Sequence, residues 1–310
     1  MIRQLSGQIV GVGLLSILLL CSCRSAPEVV QVSSDTTARP SAPAATTYTV
    51  PCNATLSQTA TTGWTLAFED EFTQNPADAS SQWGAWSSGA YNNELQLYTT
   101  APKNLSVAGG ILYIRAVKEA TPVTGKTNPS NTASKSFNFT SGRIETKTLF
   151  APNATQGQIR MMARIKLPSG YGMWPAFWSY GDPWPTKGEI DILEARGNED
   201  KVYHTNYFYG RQVNVNLVRN AEAHIYTSAS LQSCWHIYEL VWTKDALTFY
   251  LDGQQVDKKT GGYVADLFGK EEKVTLNLAV GGDYFGNPPA SSIANEGIME
   301  IDWVRVYTKN

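Results

Sequence analysis

Short strand-like runs that end at Gly, Pro, Asn or Ser recur from Trp64 onward, and they constrain the fold more than any other feature. They lie at residues 111–117, 142–148, 158–167, 235–242, 247–256, 273–280 and 298–307. The run 247–256 contains Asp252-Gly253, a pair typical of a tight turn, and so predicts a hairpin. No convincing helical period interrupts the pattern. About 250 residues of this texture predict one all-β domain, a large sandwich of two antiparallel sheets.

The last run, 298–307, shows the alternation on which this prediction depends. Side chains of a strand point to opposite faces in turn. We therefore expect Met299, Ile301, Trp303 and Tyr307 to line one face, with the acidic residues between them on the other.

The N-terminus predicts an export signal over residues 1–23. Arg3 supplies a positive start, and residues 9–20 form an apolar run that is too short to span a bilayer. The following Leu20-Cys21-Ser22-Cys23 resembles the bacterial lipoprotein signal, in which a small residue precedes the cysteine that becomes lipidated. The interpretation favours lipidation of Cys23 over simple cleavage. The protein is thus expected in the cell envelope as an outer-membrane lipoprotein, or secreted, with contact to a membrane only through that anchor.

Residues 24–60 predict a disordered linker, because Ser, Thr, Ala and Pro bury too little apolar surface to offset the entropy of ordering. The catalytic domain is then expected over residues 61–310. Cys52 and Cys234 lie in or near the folded part. In an exported protein they either pair in a disulfide or stay as two thiols, and the sequence leaves both alternatives open.

Composition excludes several function classes. The formal net charge is −2 and no long Lys/Arg run occurs, so nucleic acid is not an expected partner. The three histidines show no zinc spacing, and neither a nucleophile elbow nor a phosphate loop is present.

The strongest candidate for chemistry is Glu189-Ile190-Asp191-Ile192-Leu193-Glu194, which holds three carboxylates within six residues. On a regular strand Glu189 and Asp191 share one face, and Glu194 lies on the other. If Glu194 is to join them, the strand must carry a β-bulge near Ile192-Leu193. The plain alternative is an amphipathic strand with acidic residues facing solvent. Trp174, Trp178 and Trp184 nearby favour a carbohydrate site, since indole faces stack on sugars.

The chain from Trp64 to Tyr307 resembles the family 16 glycoside hydrolases, and among them the laminarinase-like endo-β-1,3-glucanases. Besides the acidic motif, the resemblance is carried in the family's order by residues 68–72, 92–98, 140–144, 174–178, 276–282 and 302–307. It implies a β-jelly-roll in which a concave sheet forms the substrate cleft. The longer form of the acidic motif, with one extra residue, is the form that laminarinases share with agarases.

Carried over by position, the resemblance implies that Glu189 is the nucleophile and Glu194 the general acid/base of a retaining hydrolase. Asp191 is implied to hydrogen-bond the nucleophile and to set the protonation of the pair. No cofactor is required for such catalysis. A structural calcium ion is implied at Glu71, the backbone of Gly110 and Asp302.

Substrate contacts are also implied by the resemblance. The residues concerned are Asn93, Glu94, Arg143, Trp174, Trp178, Trp184 and His204. The predicted function is hydrolysis of internal β-1,3 linkages, or mixed β-1,3/1,4 linkages, in a glucan by a monomeric enzyme. A galactan hydrolase or transglycosylase of the same family is one alternative, and a β-glucan-binding protein without catalysis is another.

Overall fold

A computed structural model describes residues 46–57 and 61–310. The predicted signal, Cys23 and most of the predicted linker therefore lie outside the described residues. Residues 46–57 belong to the same folded unit as residues 61–310. Thr47–Tyr48 forms a strand, Val50 and Ala54 are buried, and Cys52 is bonded to Cys234, so the predicted linker extends too far toward the C-terminus.

Eighteen strands and three short 3-10 helices make up the regular structure of the described residues, which contain no α-helix. The 3-10 helices are Val264–Leu267, Asp283–Phe285 and Ala290–Ser292. The strands are β1 Thr47–Tyr48, β2 Thr65–Asp70, β3 Trp83–Ala85, β4 Gln96–Tyr98, β5 Leu105–Ala108, β6 Ile111–Lys126, β7 Ser134–Ser141, β8 Arg143–Thr146, β9 Gln158–Lys166, β10 Met173–Tyr180, β11 Glu189–Glu194, β12 Val202–Phe208, β13 Ala223–Thr227, β14 His236–Thr243, β15 Ala246–Leu251, β16 Gln254–Thr260, β17 Lys273–Val280 and β18 Glu296–Lys309. The all-β prediction is confirmed.

The strands form two sheets. The eight-stranded sheet has the order β1-β13-β12-β11-β10-β17-β8-β3, and the ten-stranded sheet has the order β16-β15-β14-β9-β18-β6-β7-β4, with β2 and β5 paired alongside. Pairing is antiparallel except at β1–β13 and β4–β7, so the prediction of purely antiparallel sheets needs this correction. Both parallel pairs involve a strand at the edge of its sheet, where a short segment adds to a finished ladder.

The sandwich is held by one large apolar cluster to which both sheets contribute, including Phe177 and Leu276 from one and Ile165 and Val304 from the other. No helix long and apolar enough to cross a membrane occurs in the described part of the chain.

The prediction that Met299, Ile301, Trp303 and Tyr307 line one face of the last strand is only half right. Met299 and Ile301 belong to the main core, but Trp303 and Tyr307 pack in a second cluster with Met162. The pairing of β18 with β9 shifts register between Ile301 and Trp303. This irregularity inverts the alternation, because one extra residue moves all later side chains to the opposite face.

Candidate active site

The three acidic residues of the motif lie on β11, near the middle of the eight-stranded sheet. Glu189 is opposite Tyr180 on β10, and Asp191 is opposite Trp178. Glu194 is opposite Ala176. The chain therefore advances three residues on β11, from Asp191 to Glu194, while it advances only two on β10, from Trp178 to Ala176. The same shift appears against β12. The predicted bulge is therefore confirmed.

The bulge has a clear effect on side-chain direction. Ile192 and Leu193 follow one another in the chain, yet both are buried in the main core. Glu194 consequently returns to the outer face of the sheet, which Glu189 and Asp191 also share. That face, with the side chains of β8, β10, β11, β12 and β17 that it carries, is called the active face below.

Gly188 allows a sharp turn of the backbone immediately before β11. Its φ is +96°, a conformation that L side chains rarely adopt, and a Cβ atom there would lie 2.5 Å from a carboxyl oxygen of Glu272. Glycine lets the chain turn directly into the strand that begins with Glu189.

Two tryptophans bind the outer glutamates through their indole nitrogens. Trp184 Nε1–H donates to Glu189 Oε2 at 2.8 Å, and Trp174 Nε1–H donates to Glu194 Oε1 at 2.9 Å. Such bonds fix the carboxylates in position and favour their charged forms. One face of the Trp174 ring is stacked on Tyr284 at 4.5 Å, so this tryptophan has a positioning role beside the predicted sugar contact.

Burial raises the pKa of all three carboxyls, and repulsion from neighbouring carboxylates adds to the effect. For Glu189 the charge of Glu194 opposes ionisation, while Trp184 and Arg143 favour it. For Glu194 the nearby Glu222 and Glu94 oppose ionisation, while Trp174 and Arg196 favour it. Carboxyls as crowded as these cannot all ionise together, so the three of them retain protons at neutral pH.

Asp191 is the most confined of the three. It is 3% exposed, and its Oδ2 has no hydrogen-bond partner among the described residues. Burial and both neighbouring glutamates raise the pKa of Asp191 well above its usual range. A protonated Asp191 carries no negative charge, so Glu189 ionises more easily than it would beside an ionised Asp191. The implied hydrogen bond from Asp191 to Glu189 stays a prediction.

Arg143 brings a positive charge that acts on Glu189. Its guanidinium lies 3.5 Å from the centre of the Trp86 ring and 4.8 Å from that of Trp178, and 3.6 Å from a carboxylate oxygen of Glu145. Trp178 Nε1–H donates to Asn277 Oδ1 at 2.7 Å. Arg143 and Trp178 thus belong to one aromatic and cationic cluster on the active face.

Glu94 is a fourth buried carboxyl near the site. Gln96 donates to its Oε2 at 2.6 Å and Tyr98 at 3.3 Å, and burial raises the pKa of Glu94 to about 7. Asn93, by contrast, is exposed and donates to Asp283 Oδ1 at 2.9 Å. Of these two predicted contacts, Glu94 lies inside the site and Asn93 at its rim.

His204 is paired in register with Glu194 across β11 and β12. It is 1% exposed, and its Nδ1 is hydrogen-bonded to the Tyr284 hydroxyl at 2.7 Å. Burial and the neighbouring His224 lower the pKa of His204 to about 4, so its ring is neutral at ordinary pH.

Several residues of the site were not found from the sequence. Tyr284 stacks on Trp174 and bonds His204, Asn277 receives the Trp178 hydrogen bond, and Arg196 lies 4.2 Å from the centre of the Tyr284 ring. Tyr284 follows two glycines, Gly281 and Gly282, both with positive φ. That glycine pair was the one local signal of a sharp turn toward the site.

Two of the residues implied to hold calcium, Glu71 and Asp302, form ion pairs with arginines. Arg305 donates to a Glu71 carboxylate oxygen at 2.6 Å, and Arg164 donates to Asp302 at 2.7 Å. Gly110 faces the backbone carbonyl of Glu71. One oxygen of each carboxylate is thus engaged by a guanidinium group, and the implied calcium site stays a prediction.

The arrangement supplies what glycoside cleavage needs. Two glutamates on one face, electrostatically coupled and each held by an indole N–H, can act as nucleophile and proton donor.

Comparisons with known proteins agree with this chemistry. Residues 110–305 match the family described as Glycosyl hydrolases family 16. A glucan endo-1,3-beta-glucosidase of Cryptopygus antarcticus is 33% identical over 270 residues, covering 80% of this chain and 93% of the relative. Glucan endo-1,3-beta-glucosidase A1 of Niallia circulans is 31% identical over 273 residues, and the match covers 79% of this chain but only 38% of that relative's length.

Among solved structures, the endo-beta-1,3-glucanase of Pyrococcus furiosus superposes with a TM-score of 0.63 at 31% identity, covering 79% of this chain and 94% of its own. Fold, bulged acidic strand and sequence therefore agree. The chain belongs to family 16 of the glycosyl hydrolases.

Proposed function

We propose that this protein is an endo-acting hydrolase of β-1,3-glucans that retains the configuration of the cleaved sugar. Glu189 attacks the anomeric carbon, and Glu194 first protonates the leaving oxygen and then deprotonates the incoming water. The glycosyl group passes from the leaving sugar to Glu189 and from there to water, so no external reactant besides water is needed.

One observation carries the proposal: the bulge in β11 places Glu194 on the same face as Glu189. Without it the second glutamate would point into the core, and neither acid nor base would be available at the bond to be cleaved. The β-1,3 linkage is supported by the endo-1,3-beta-glucosidase and endo-beta-1,3-glucanase names of similar proteins.

The roles of the two glutamates rest on their order in the family motif, because burial raises the pKa of both, to about 8 for Glu189 and to about 7 for Glu194. Arg143 and the Trp184 N–H both favour a negative charge on Glu189, the form in which a carboxylate is a nucleophile. On Glu194, Glu222 and Glu94 oppose a negative charge, whereas the Trp174 N–H and Arg196 favour it, and burial raises its pKa so that a protonated form is available for donation. Tryptophan and arginine side chains around the pair offer surfaces for the sugar rings.

The test measures reducing ends released from laminarin by Glu189→Gln and Glu194→Gln. Each variant keeps the size of the side chain and removes its acid chemistry, so activity should fall by at least about 10³-fold while folding is kept. Glu296→Gln is the matched control, because Glu296 is an exposed residue of the ten-stranded sheet. Activity near that of the unaltered protein in either catalytic variant would overturn the assignment.

Substrate class and stereochemistry are read in the same assay. Laminarin, lichenan and agarose are compared, and the first product is followed by proton NMR. Cleavage of laminarin with β-configured product is the expected result. Cleavage of agarose alone would identify a galactanase, transfer to added oligosaccharide without hydrolysis would identify a transglycosylase, and binding of laminarin without any cleavage would identify a glucan-binding protein.

Export is part of the proposal. It is supported by the apolar N-terminal run and by the Cys52–Cys234 disulfide, since disulfides persist mainly in oxidising compartments. Labelling with a radioactive fatty acid tests lipidation, which Cys23→Ser should abolish.

A further inference from the structure

Two histidines and a glutamate meet beside the active face. His204 on β12 and His224 on β13 are directly opposite each other, and their ring centres are 4.1 Å apart. Glu222 precedes β13 by one residue, and its Oε1 lies 2.9 Å from His224 Nε2 and 3.9 Å from His204 Nδ1. One ligand atom from each residue lies within 4.8 Å of the others, and no other such group of three was found among the described residues.

We propose that His204, Glu222 and His224 bind a divalent transition-metal ion such as Zn²⁺, and that the bound ion inhibits the proposed hydrolase. Two imidazoles and one carboxylate are the ligands that zinc, nickel and copper prefer, whereas calcium and magnesium favour oxygen alone. The metal-binding part stands on geometry alone, and only the inhibition rests on the proposed function.

The ligand atoms can close around an ion with small movements. Tetrahedral zinc with bonds of about 2.1 Å places its ligand atoms about 3.4 Å apart. The present separations of 2.9 and 3.9 Å bracket that value. The side chains of Glu222 and His224 are 42% and 46% exposed, so they adjust freely and leave the remaining coordination positions to water.

Charge around the three residues is mixed. Arg196 is a positive group that acts on His204, whereas Glu222 acts with the opposite sign. Imidazole binds a metal ion through the lone pair of its unprotonated ring nitrogen.

Binding there would disturb the acid/base. The nitrogen of His204 that faces Glu222 is the one bonded to Tyr284, so the ion competes with that hydrogen bond. Tyr284 stacks on Trp174, which holds Glu194. Loss of the hydrogen bond to Tyr284 would therefore disturb the position of Glu194 through Trp174.

The test uses calorimetric titration of the full chain with ZnCl₂, without a polyhistidine tag and with Cys21 and Cys23 alkylated. One ion per chain is the expected stoichiometry. His224→Ala should weaken binding by at least about tenfold, since outer-shell partners alone contribute about 10–100-fold. Glu296→Gln, in the other sheet, should bind zinc as the unaltered protein does.

Hydrolysis of laminarin is then measured with and without ZnCl₂. Zinc should inhibit the unaltered protein and Glu296→Gln, while His224→Ala keeps its activity at the same zinc concentration; CaCl₂ should inhibit none of them. Zinc binding that His224→Ala leaves unchanged would overturn the site. Binding without inhibition would overturn the link to Glu194. Because calorimetry needs no substrate, an inactive protein leaves the metal-binding result intact.

Discussion

The indole of Trp174 offers a direct test of how the acid/base is tuned. Trp174→Phe keeps an aromatic ring against Tyr284 but removes the N–H that donates to Glu194 Oε1 at 2.9 Å. That bond lowers the pKa of Glu194, because it stabilises the carboxylate more than the neutral acid. Its loss should therefore raise the pKa of Glu194.

The size of the change follows from the strength of the bond. A hydrogen bond to a charged group contributes about 1.5–3 kcal/mol net, and the neutral acid also accepts a weaker one. Taking the lower value, at about 1.36 kcal/mol per pKa unit, the pKa of Glu194 should rise by about one unit. Since Glu194 must be protonated to act as the acid, activity should persist to a higher pH by about the same amount.

The assay is the pH dependence of kcat/KM on laminarin, whose limbs report the free enzyme. Trp178→Phe is the matched control, because its indole N–H donates to the neutral amide oxygen of Asn277 on the same face. The basic limb of Trp174→Phe should move to higher pH, whereas that of Trp178→Phe should stay in place. An unmoved or acid-shifted limb in Trp174→Phe, or an equal shift in both variants, would refute the reasoning.

Two further predictions concern stability. Cys52 and Cys234 are 182 residues apart, and replacing both by alanine should lower the free energy of unfolding by about 2–5 kcal/mol. The Tm measured by calorimetry should then fall by about 4–20 °C. An unchanged Tm would show that the disulfide does not stabilise the fold. Gly188→Ala puts an alanine at a positive φ and places its Cβ against Glu272, so the variant should lose about 1–3 kcal/mol of stability and have a lower kcat. Gly253→Ala is the control, because Gly253 also has a positive φ of +82° but has open space around it; this variant should lose stability and keep its kcat. An equal kcat in both variants would contradict the prediction.

Much of the fold was predictable because the information is local. The run 273–280 corresponds to β17 without adjustment, and Asp252-Gly253 does join β15 to β16. The bulge in β11 was predictable for a different reason: three carboxylates with the wrong parity make sense together only if one residue is added. The bulge was predicted from the requirement that the three carboxylates act together, because the local strand propensity of β11 does not indicate it.

What escaped prediction depends on long-range packing. The displacement of Trp303 and Tyr307 to the second cluster arises from a register shift against β9, which lies far away in the chain. Tyr284 likewise reaches Trp174 and His204 only once the strands are assembled. A short strand such as Thr47–Tyr48 has too few residues to show a period at all.

The central position of β11 has a consequence for inactivation by heat. The strands β11, β10 and β17 occupy the fourth to sixth places of the eight-stranded sheet, with partners on both sides. Amide hydrogens on such strands exchange with solvent mainly when the whole domain opens, whereas edge strands open locally. We therefore expect the amides of Glu189 and Glu194 to be among the slowest to exchange, and enzymatic activity to disappear on heating together with the fold rather than before it.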